Sequence, residues 1–310
     1  MMVSEIGFGA FPIGGGMWGP VADSESLAAL QRAFDLGVNF FDTADVYGHG
    51  RSEELIGRAF FGKRANVIIA SKVGFDFRAG EPARPNFDPA YIRSALEASL
   101  ARLGTDYIDL YQLHNPPQKL AREESVWETL RDLKAEGKMR FYGVSARTAN
   151  DALAYMKAAQ GDGAPSRRFG DTMQVAYNLL DQEAALKGVF VEAYRQDLGV
   201  ISRVPLASGM LGGRYGAGHG FAAGDFRGDW SADRLSEMVR RVDALRFLAT
   251  PERSLAQAAL AFALSQQAVS TVIAGAKTAA QGEENAAASE LGPLSEDELR
   301  QVEAQSEFAE

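Results

Sequence analysis

Residues 88–114 read DPAYIRSALEASLARLGTDYIDLYQLH. The first part, 88–103, carries apolar residues at helical spacing, with Pro89 at the first helical position and Gly104 as its stop. The second part, 107–113, is a run of strand length. A helix that delivers the chain into a strand is one repeat of an alternating pattern, and the pattern extends in both directions. Strand-length stretches at 6–9, 38–42, 67–71, 107–113, 141–145, 173–176, 199–203 and 271–274 alternate with helical ones. The helical stretches are 24–36, 53–60, 88–103, 125–136, 149–159, 183–196, 255–265 and 279–289, with a closing helix at 296–304. Ser24 is the expected N-cap of the first helix and Gly37 its stop. Strict alternation implies a parallel sheet with right-handed crossovers. Eight units point to one α/β domain over 1–310, a closed (β/α)8 TIM barrel. The strands are mostly apolar, as strands buried on both faces are. Two irregular segments remain, 161–171 and 212–231. The second is rich in glycine, holds His219 and follows strand seven, so it reads either as a ligand clamp or as a plain surface loop.

Composition narrows the function. The 310 residues are 46% hydrophobic, enough for a large core and too apolar for wholesale disorder. With 41 acidic against 32 basic residues the net charge is −9, which argues against a nucleic-acid partner. The chain has no cysteine, so thiol chemistry and disulfides are excluded. Its three histidines, His49, His114 and His219, make a histidine-rich metal site unexpected. The longest uncharged stretch, 254–276, contains Gln257, Gln266 and Gln267 and reads as a buried helix followed by a strand, not a membrane span. The first twenty residues lack a basic n-region, so a cytoplasmic protein is expected.

A barrel of this kind handles ligands at the C-terminal ends of its strands. Strand two ends in Asp42, and the loop after it carries Tyr47, within FDTADVYG. Strand three leads into Lys72 and strand four into His114. Singly, each has an ordinary role: a cap, a solvated strand end, a satisfied polar side chain. Together they converge from neighbouring strands on one face. A phenol titrates near pH 10, and an adjacent ammonium such as Lys72 lowers that value. Asp42 can hold Lys72 charged and oriented, and His114 can hydrogen-bond the reacting oxygen or share its proton. The set suits protonation of a carbonyl oxygen, or the reverse, with Tyr47 as general acid–base. A hydride donor would supply the other half of that chemistry.

These residues sit within a longer series. GFGAFPIGG, GVNFFDTADVYGHGRSEELIGRAF, VIIASKVGF, SLARLGTDYIDLYQLHNPP, LKAEGKMRFYGVS, MQVAYNLL, GVISRVPLASGMLGGRY and VIAGAKTAAQGEENAAA follow in order over 6–288. This series resembles the aldo-keto reductase family. The resemblance implies an NAD(P)H-dependent carbonyl reductase with Asp42, Tyr47, Lys72 and His114 as its catalytic tetrad. It places Gly9, Ala10 and Phe11 at the start of the cofactor cleft, and Ser145 and Gln174 on the nicotinamide carboxamide. Leu206, Ser208, Gly209, Leu211 and Arg214 would follow the pyrophosphate, with 212–231 folding over it. Gly275, Lys277, Gln281, Glu284 and Asn285 would read the adenosine end. Lys277 and a helix start there favour NADP(H) over NAD(H), although Gln281 stands where the family often has Arg. Ala146 stands where Asn is common. Arg203 stands where a Tyr often stacks on the nicotinamide, as in one branch of the family.

Other readings are weaker or open. Residues 14–19, GGGMWG, fit G-x-G-x-x-G formally, but Pro20 and further residues intervene before the helix, and a Rossmann fold does not explain eight units. In the barrel this stretch is the first βα loop, and Trp18 is a candidate wall of the substrate pocket. A Schiff-base lyase using Lys72 would leave Tyr47 and His114 without a reason. A cofactor-binding regulatory subunit, or a sugar or alcohol dehydrogenase running oxidatively, uses the same fold. The expected ligand is a small carbonyl or alcohol, with neither nucleic acid nor membrane involved. The substrate's identity and the oligomeric state are not set by these motifs. Only five residues precede the first strand, where the family usually has a hairpin closing the barrel floor. A less well-covered floor and some loss of stability are expected.

Overall fold

In the computed structural model, which describes residues 1–78, 80, 82–159, 169–216 and 218–307, eight parallel strands close into a barrel. In chain order the strands are β1 (Ile6–Gly9), β2 (Phe40–Asp42), β3 (Ile68–Val73), β4 (Phe75–Asp76), β5 (Arg84–Pro85), β6 (Ile108–His114), β7 (Met139–Ser145), β8 (Thr172–Ala176), β9 (Gly199–Arg203) and β10 (Val269–Gly275). β4 and β5 pair as a small antiparallel ribbon outside the barrel; the other eight form its wall, with β1 hydrogen-bonded to both β2 and β10. The helices are α1 (Asp23–Asp35), α2 (Arg51–Ala59), α3 (Pro89–Leu103), α4 (Glu124–Ala135), α5 (Ala149–Ala159), α6 (Glu183–Leu186), α7 (Val189–Arg195), α8 (Ala232–Ala244), α9 (Leu255–Leu264), α10 (Ala279–Ala286) and α11 (Glu296–Glu307). The chain thus folds as the (β/α)8 barrel that its alternation predicts.

Strand alternation sorts the barrel interior into layers. Phe40, Ala70, Leu110, Ile201 and Ile273 form a buried apolar plug inside, with Val3, Ile68 and Phe141 packed against it. Two residues further along, the same strands present Asp42, Lys72, Gln112, Arg203 and Gly275. The register places His114 beside Ser145, and Ser145 beside Gln174, in one row above the plug. The plug fixes the height of that polar row, since the interior is close-packed.

The local structure departs from the expected elements at several points. α1 begins one residue early, with Ala22 as its N-cap and no side-chain cap, so Ser24 lies inside the helix. The expected helix 183–196 is two helices, because Gly188 takes a left-handed conformation (φ 79°) between them. α8 was not among the expected elements; Ser231 caps it, and Leu235, Val239 and Val242 bury one face. The β4–β5 ribbon was also unforeseen. Residues 161–168 of the irregular stretch 161–171 lie outside the described residues. No strand precedes Ile6 among the described residues. Instead Val3 packs on the floor of the plug, and Ser4 and Asn39 exchange hydrogen bonds of 2.7 and 3.1 Å that hold this segment there. No helix among the described residues is long and apolar enough to cross a membrane.

Candidate active site

Asp42 closes β2 and Lys72 lies within β3, both almost fully buried. Their side chains form an ion pair inside the barrel. Lys72 is not a solvated strand end: its Nζ also donates to the Thr43 carbonyl at 2.7 Å and to the Tyr47 hydroxyl at 3.3 Å. The far oxygen of Asp42 accepts from Gln174 Nε2 at 2.8 Å and Gln112 Nε2 at 3.3 Å. Gln174 in turn accepts from Ser145 Oγ at 3.1 Å. The Asp42 carboxylate therefore has partners on both oxygens, which is what keeps a buried charge tolerable. Gln112 was not among the expected site residues. It lies two positions from His114 on β6, and strand alternation turns it inward.

Tyr47 is presented by the loop between β2 and α2. That loop is braced against the first βα loop so closely that a Cβ on Gly48 (φ 62°) would sit 2.1 Å from the Gly14 carbonyl oxygen. The Tyr47 ring lies 4.7 Å from the Phe11 ring and 5.8 Å, edge to face, from His114. His114 Nδ1 is buried and has no partner within the protein. An unpaired polar atom in such a place is a hydrogen-bonding position held for a ligand.

The electrostatics follow from burial. Burial pushes the Tyr47 phenol above its usual value; Lys72 pulls it down without cancelling that rise, so Lys72 alone does not set the outcome the sequence suggested. Burial would lower the Lys72 ammonium, but Asp42 and then Tyr47 more than offset it and hold it raised. The His114 imidazole sits well below its usual value because of burial, with Lys72 and Arg203 adding to the effect. At neutral pH the site therefore holds a protonated phenol, an ammonium and a neutral imidazole. A neutral His114 positions an oxygen by hydrogen bonding; it does not carry the proton.

A cavity of about 620 Å³ opens over this group. Asp42, Tyr47, His114, Ser145, Gln174 and Arg203 form its floor, with Gly9 and Phe11 on one side. Leu206, Ser208, Gly209 and Arg214 line the wall after β9. Gly275, Lys277, Gln281, Glu284 and Asn285 line the end at α10. Trp18 is part of the wall. Two of the expected cofactor residues lie behind it. Ala10 is fully buried, and its carbonyl accepts from Ser52 Oγ at 2.9 Å. Leu211 is fully buried in the main apolar core. Near Tyr47 the wall also includes Met17, Val46, Phe75 and Asn115, which the motifs did not single out.

The segment after β9 is strained: Val204, Ala207 and Ser208 all take positive φ, at 55°, 46° and 57°. Such strain persists where surrounding contacts over-determine it, commonly at ligand clamps. Those contacts come from the glycine-rich loop. Arg227, buried at 5% exposure, pairs with Asp225 at 2.6 Å and donates to the Ser208 carbonyl and the Tyr215 hydroxyl, each at 3.0 Å. Its guanidinium lies 4.6 Å from the centre of the Trp18 ring. Phe226 N–H donates to the Met17 carbonyl at 2.8 Å, and Gly19 N–H to the Gly224 carbonyl at 3.2 Å. The loop thus folds over the cavity and is stitched to the first βα loop. His219 packs on the Tyr215 ring at 4.7 Å within it. At the α10 end, Lys277 Nζ donates to the Trp18 carbonyl, and the Lys277 N–H donates to Gln281 Oε1 at 2.8 Å. Among the described residues, no group of three or more His, Asp or Glu side chains is placed to hold a metal ion.

This geometry has counterparts. The family model described as aldo/keto reductase family matches residues 5–307. An oxidoreductase of Bacillus subtilis, YqkF, is 31% identical over 311 residues, covering 97% of this chain and 92% of its own. A solved aldo-keto reductase from Bacillus halodurans, in its holo form, superposes with a TM-score of 0.79 at 30% identity, covering 98% of this chain and 92% of that one. An aldo-keto reductase from Klebsiella pneumoniae in complex with NADPH gives a TM-score of 0.72 at 29% identity, covering 97% and 90%.

Proposed function

The chain belongs to the aldo/keto reductase family, and on that premise we propose that it reduces an aldehyde or ketone to the alcohol with NADPH, using Tyr47 as the proton donor. The observation that carries this reading is the Asp42–Lys72 pair hydrogen-bonded to the hydroxyl of a phenol that opens, beside an unpartnered His114, into a ligand-sized cavity.

The residues present fit a nicotinamide dinucleotide. The cavity runs from the Tyr47 group to α10, and buried donors without partners, His114 Nδ1 and Arg203 Nε, lie at its reactive end. Ser145 and Gln174 would hold the carboxamide, and Arg214 and Lys277 supply cations toward the phosphates. Preference for NADP(H) over NAD(H) rests on Lys277 and on the NADPH bound by the Klebsiella relative. When bound, the nicotinamide supplies hydride to the carbonyl carbon. The chain's own residues do the rest. His114 donates to the carbonyl oxygen and fixes its position. Tyr47, kept protonated by burial, gives that oxygen its proton. Lys72, held charged by Asp42, stabilises the phenolate as it forms. Gln112 and Gln174 keep Asp42 aimed at Lys72. The loop clasped by Arg227 excludes water from the cavity. The same residues run in reverse for alcohol oxidation.

A panel of uncharged and charged carbonyls, run with NADPH and NADH in parallel, tests the reading. Depletion of NADPH with at least one aldehyde or ketone is expected, with slower use of NADH. No consumption of either nucleotide across the panel would refute it.

A further inference from the structure

The chain has no cysteine, so its eight methionines hold all of its sulfur. A thioether is oxidised to the sulfoxide where an oxidant can reach it, and a packed core keeps the oxidant out. Met139, Met156, Met173 and Met210 are buried in the main core, and Met238 on α8 is half-buried against it. Three are exposed: Met1 and Met2, ahead of β1, and Met17, at 56%. Of the eight, Met17 alone lines the cavity. It stands on the first βα loop beside Trp18, and its carbonyl oxygen accepts from the Phe226 N–H at 2.8 Å. That bond fixes its main chain on the seam with the glycine-rich loop. Rings continue along the wall on both sides of Tyr47: Trp18 lies 6.0 Å from Phe11, Phe226 5.3 Å from Trp18, and Phe75 5.3 Å from His114. With Val46 they make this part of the wall largely apolar, and a flexible thioether completes it.

We propose that Met17 is a site of reversible oxidation by hydroperoxides, and that its sulfoxide weakens the binding of apolar carbonyl substrates; the second clause rests on the carbonyl-reductase reading above. The sulfur lone pair attacks one peroxide oxygen, and the O–O bond breaks as the S–O bond forms. The departing hydroxide takes the proton of the transferred hydroxyl and leaves as water. Sulfur is oxidised by two electrons and the peroxide is reduced by two. The product sets a polar oxygen into an apolar wall. An apolar substrate packed there strips that oxygen of water and returns no hydrogen bond, which costs affinity. The Asp42–Lys72 pair, its bond to Tyr47 and the α10 end of the cavity are left as they are, so the loss falls on KM. Met1 and Met2 provide an internal control, since they are equally open to oxidant but lie ahead of β1, away from the cavity.

Treatment with hydrogen peroxide, followed by peptide mass spectrometry, steady-state kinetics and NADPH titration on the same samples, tests this. Wild type and Met17→Leu are treated side by side, and each is compared with itself before treatment. Met17 should oxidise about tenfold or more faster than the four buried methionines, and within about threefold of the rate at Met2. In wild type, KM for an apolar aldehyde should rise about threefold or more, with kcat and the Kd for NADPH each held within about twofold. Methionine sulfoxide reductases should restore the starting KM. Met17→Leu should keep its own KM through the treatment. Met17 that oxidises no faster than the buried four, a KM that does not move once Met17 is oxidised, or an equal rise in Met17→Leu overturns the inference. Wild type that reduces no carbonyl before treatment overturns instead the reductase reading beneath it.

Discussion

Asp45 offers a prediction that can be worked through from burial and charge. It lies in the Tyr47 loop at 1% exposure, and one carboxyl oxygen has no partner. Burial, with the Glu53 carboxylate adding to it, raises its pKa to about 8, while Arg102 pulls the other way. Glu53 itself is satisfied by Ser71 and by Arg102 Nε at 2.7 Å, which leaves Asp45 the acid that stays protonated. The sign follows from linkage. An aspartate free in the unfolded chain titrates near 3.9, so between that pH and the folded value the unfolded state alone releases the proton. Stability therefore falls as pH rises across this window, at about 1.4 kcal/mol per pH unit, and levels off above the folded pKa. From pH ~6 to pH ~8 the loss comes to about 2 kcal/mol, allowing for saturation at the upper end. Asp45→Asn keeps the shape and removes the titration. Urea unfolding of both proteins at the two pH values is the assay; the Asn variant's stability relative to wild type should improve by about 2 kcal/mol at the higher pH. Taking the difference between pH values cancels whatever Asn gains or loses by its own hydrogen bonds. A relative stability independent of pH would refute the reasoning and place Asp45 as an ordinary ionised carboxylate.

Three further outcomes follow from the site. Lys72→Met should leave Asp42 as an unpaired buried charge, destabilising the fold by about 3–5 kcal/mol in chemical denaturation and sharply lowering kcat; a stable, fully active variant would contradict the pair's role. The His114 imidazole is held below its usual value, so its neutral form is retained as pH falls past ~6.5 and the kcat/KM profile should show no ionisation there. The same shift means that its contribution to stability, full above ~6.5, is lost as pH drops below that value. Gly48→Ala forces a Cβ against the Gly14 carbonyl at a left-handed φ, so it should displace Tyr47, lower kcat about tenfold or more and cost about 1–3 kcal/mol in thermal unfolding.

The barrel was legible because its signals are local. Pro89 and Gly104 bracket α3, every strand of the barrel is a short run of mostly apolar residues, and the helix–strand alternation sets the topology. Asp42, Lys72 and His114 were legible for the same reason, since strand ends locate them. What escaped depends on contacts between distant segments. Gln112 supports Asp42 across 70 positions, and strand alternation from Leu110 and His114 was the signal that would have found it. The Arg227 clasp draws on Trp18, Ser208 and Tyr215, and no spacing reveals a guanidinium stacked on a remote ring. Ala10 and Leu211 were expected on the cleft because motif position says which residues are near it, not which side chains face it. The direction of the Tyr47 shift also needed the structure, because it is decided by how far burial outweighs the Lys72 charge. At the floor of the barrel, Val3 and the Ser4–Asn39 bonds hold the segment before β1 against the plug, contacts that no local pattern announces.

The central claim is that Tyr47 supplies the proton, and Tyr47→Phe tests it most directly. NADPH affinity, followed by fluorescence titration, and turnover of an aldehyde that wild type reduces should be measured on the same preparation. The account predicts NADPH binding within about twofold of wild type and a loss of kcat of about 10²–10⁴-fold. A Phe variant that binds NADPH and turns over at the wild-type rate would contradict it.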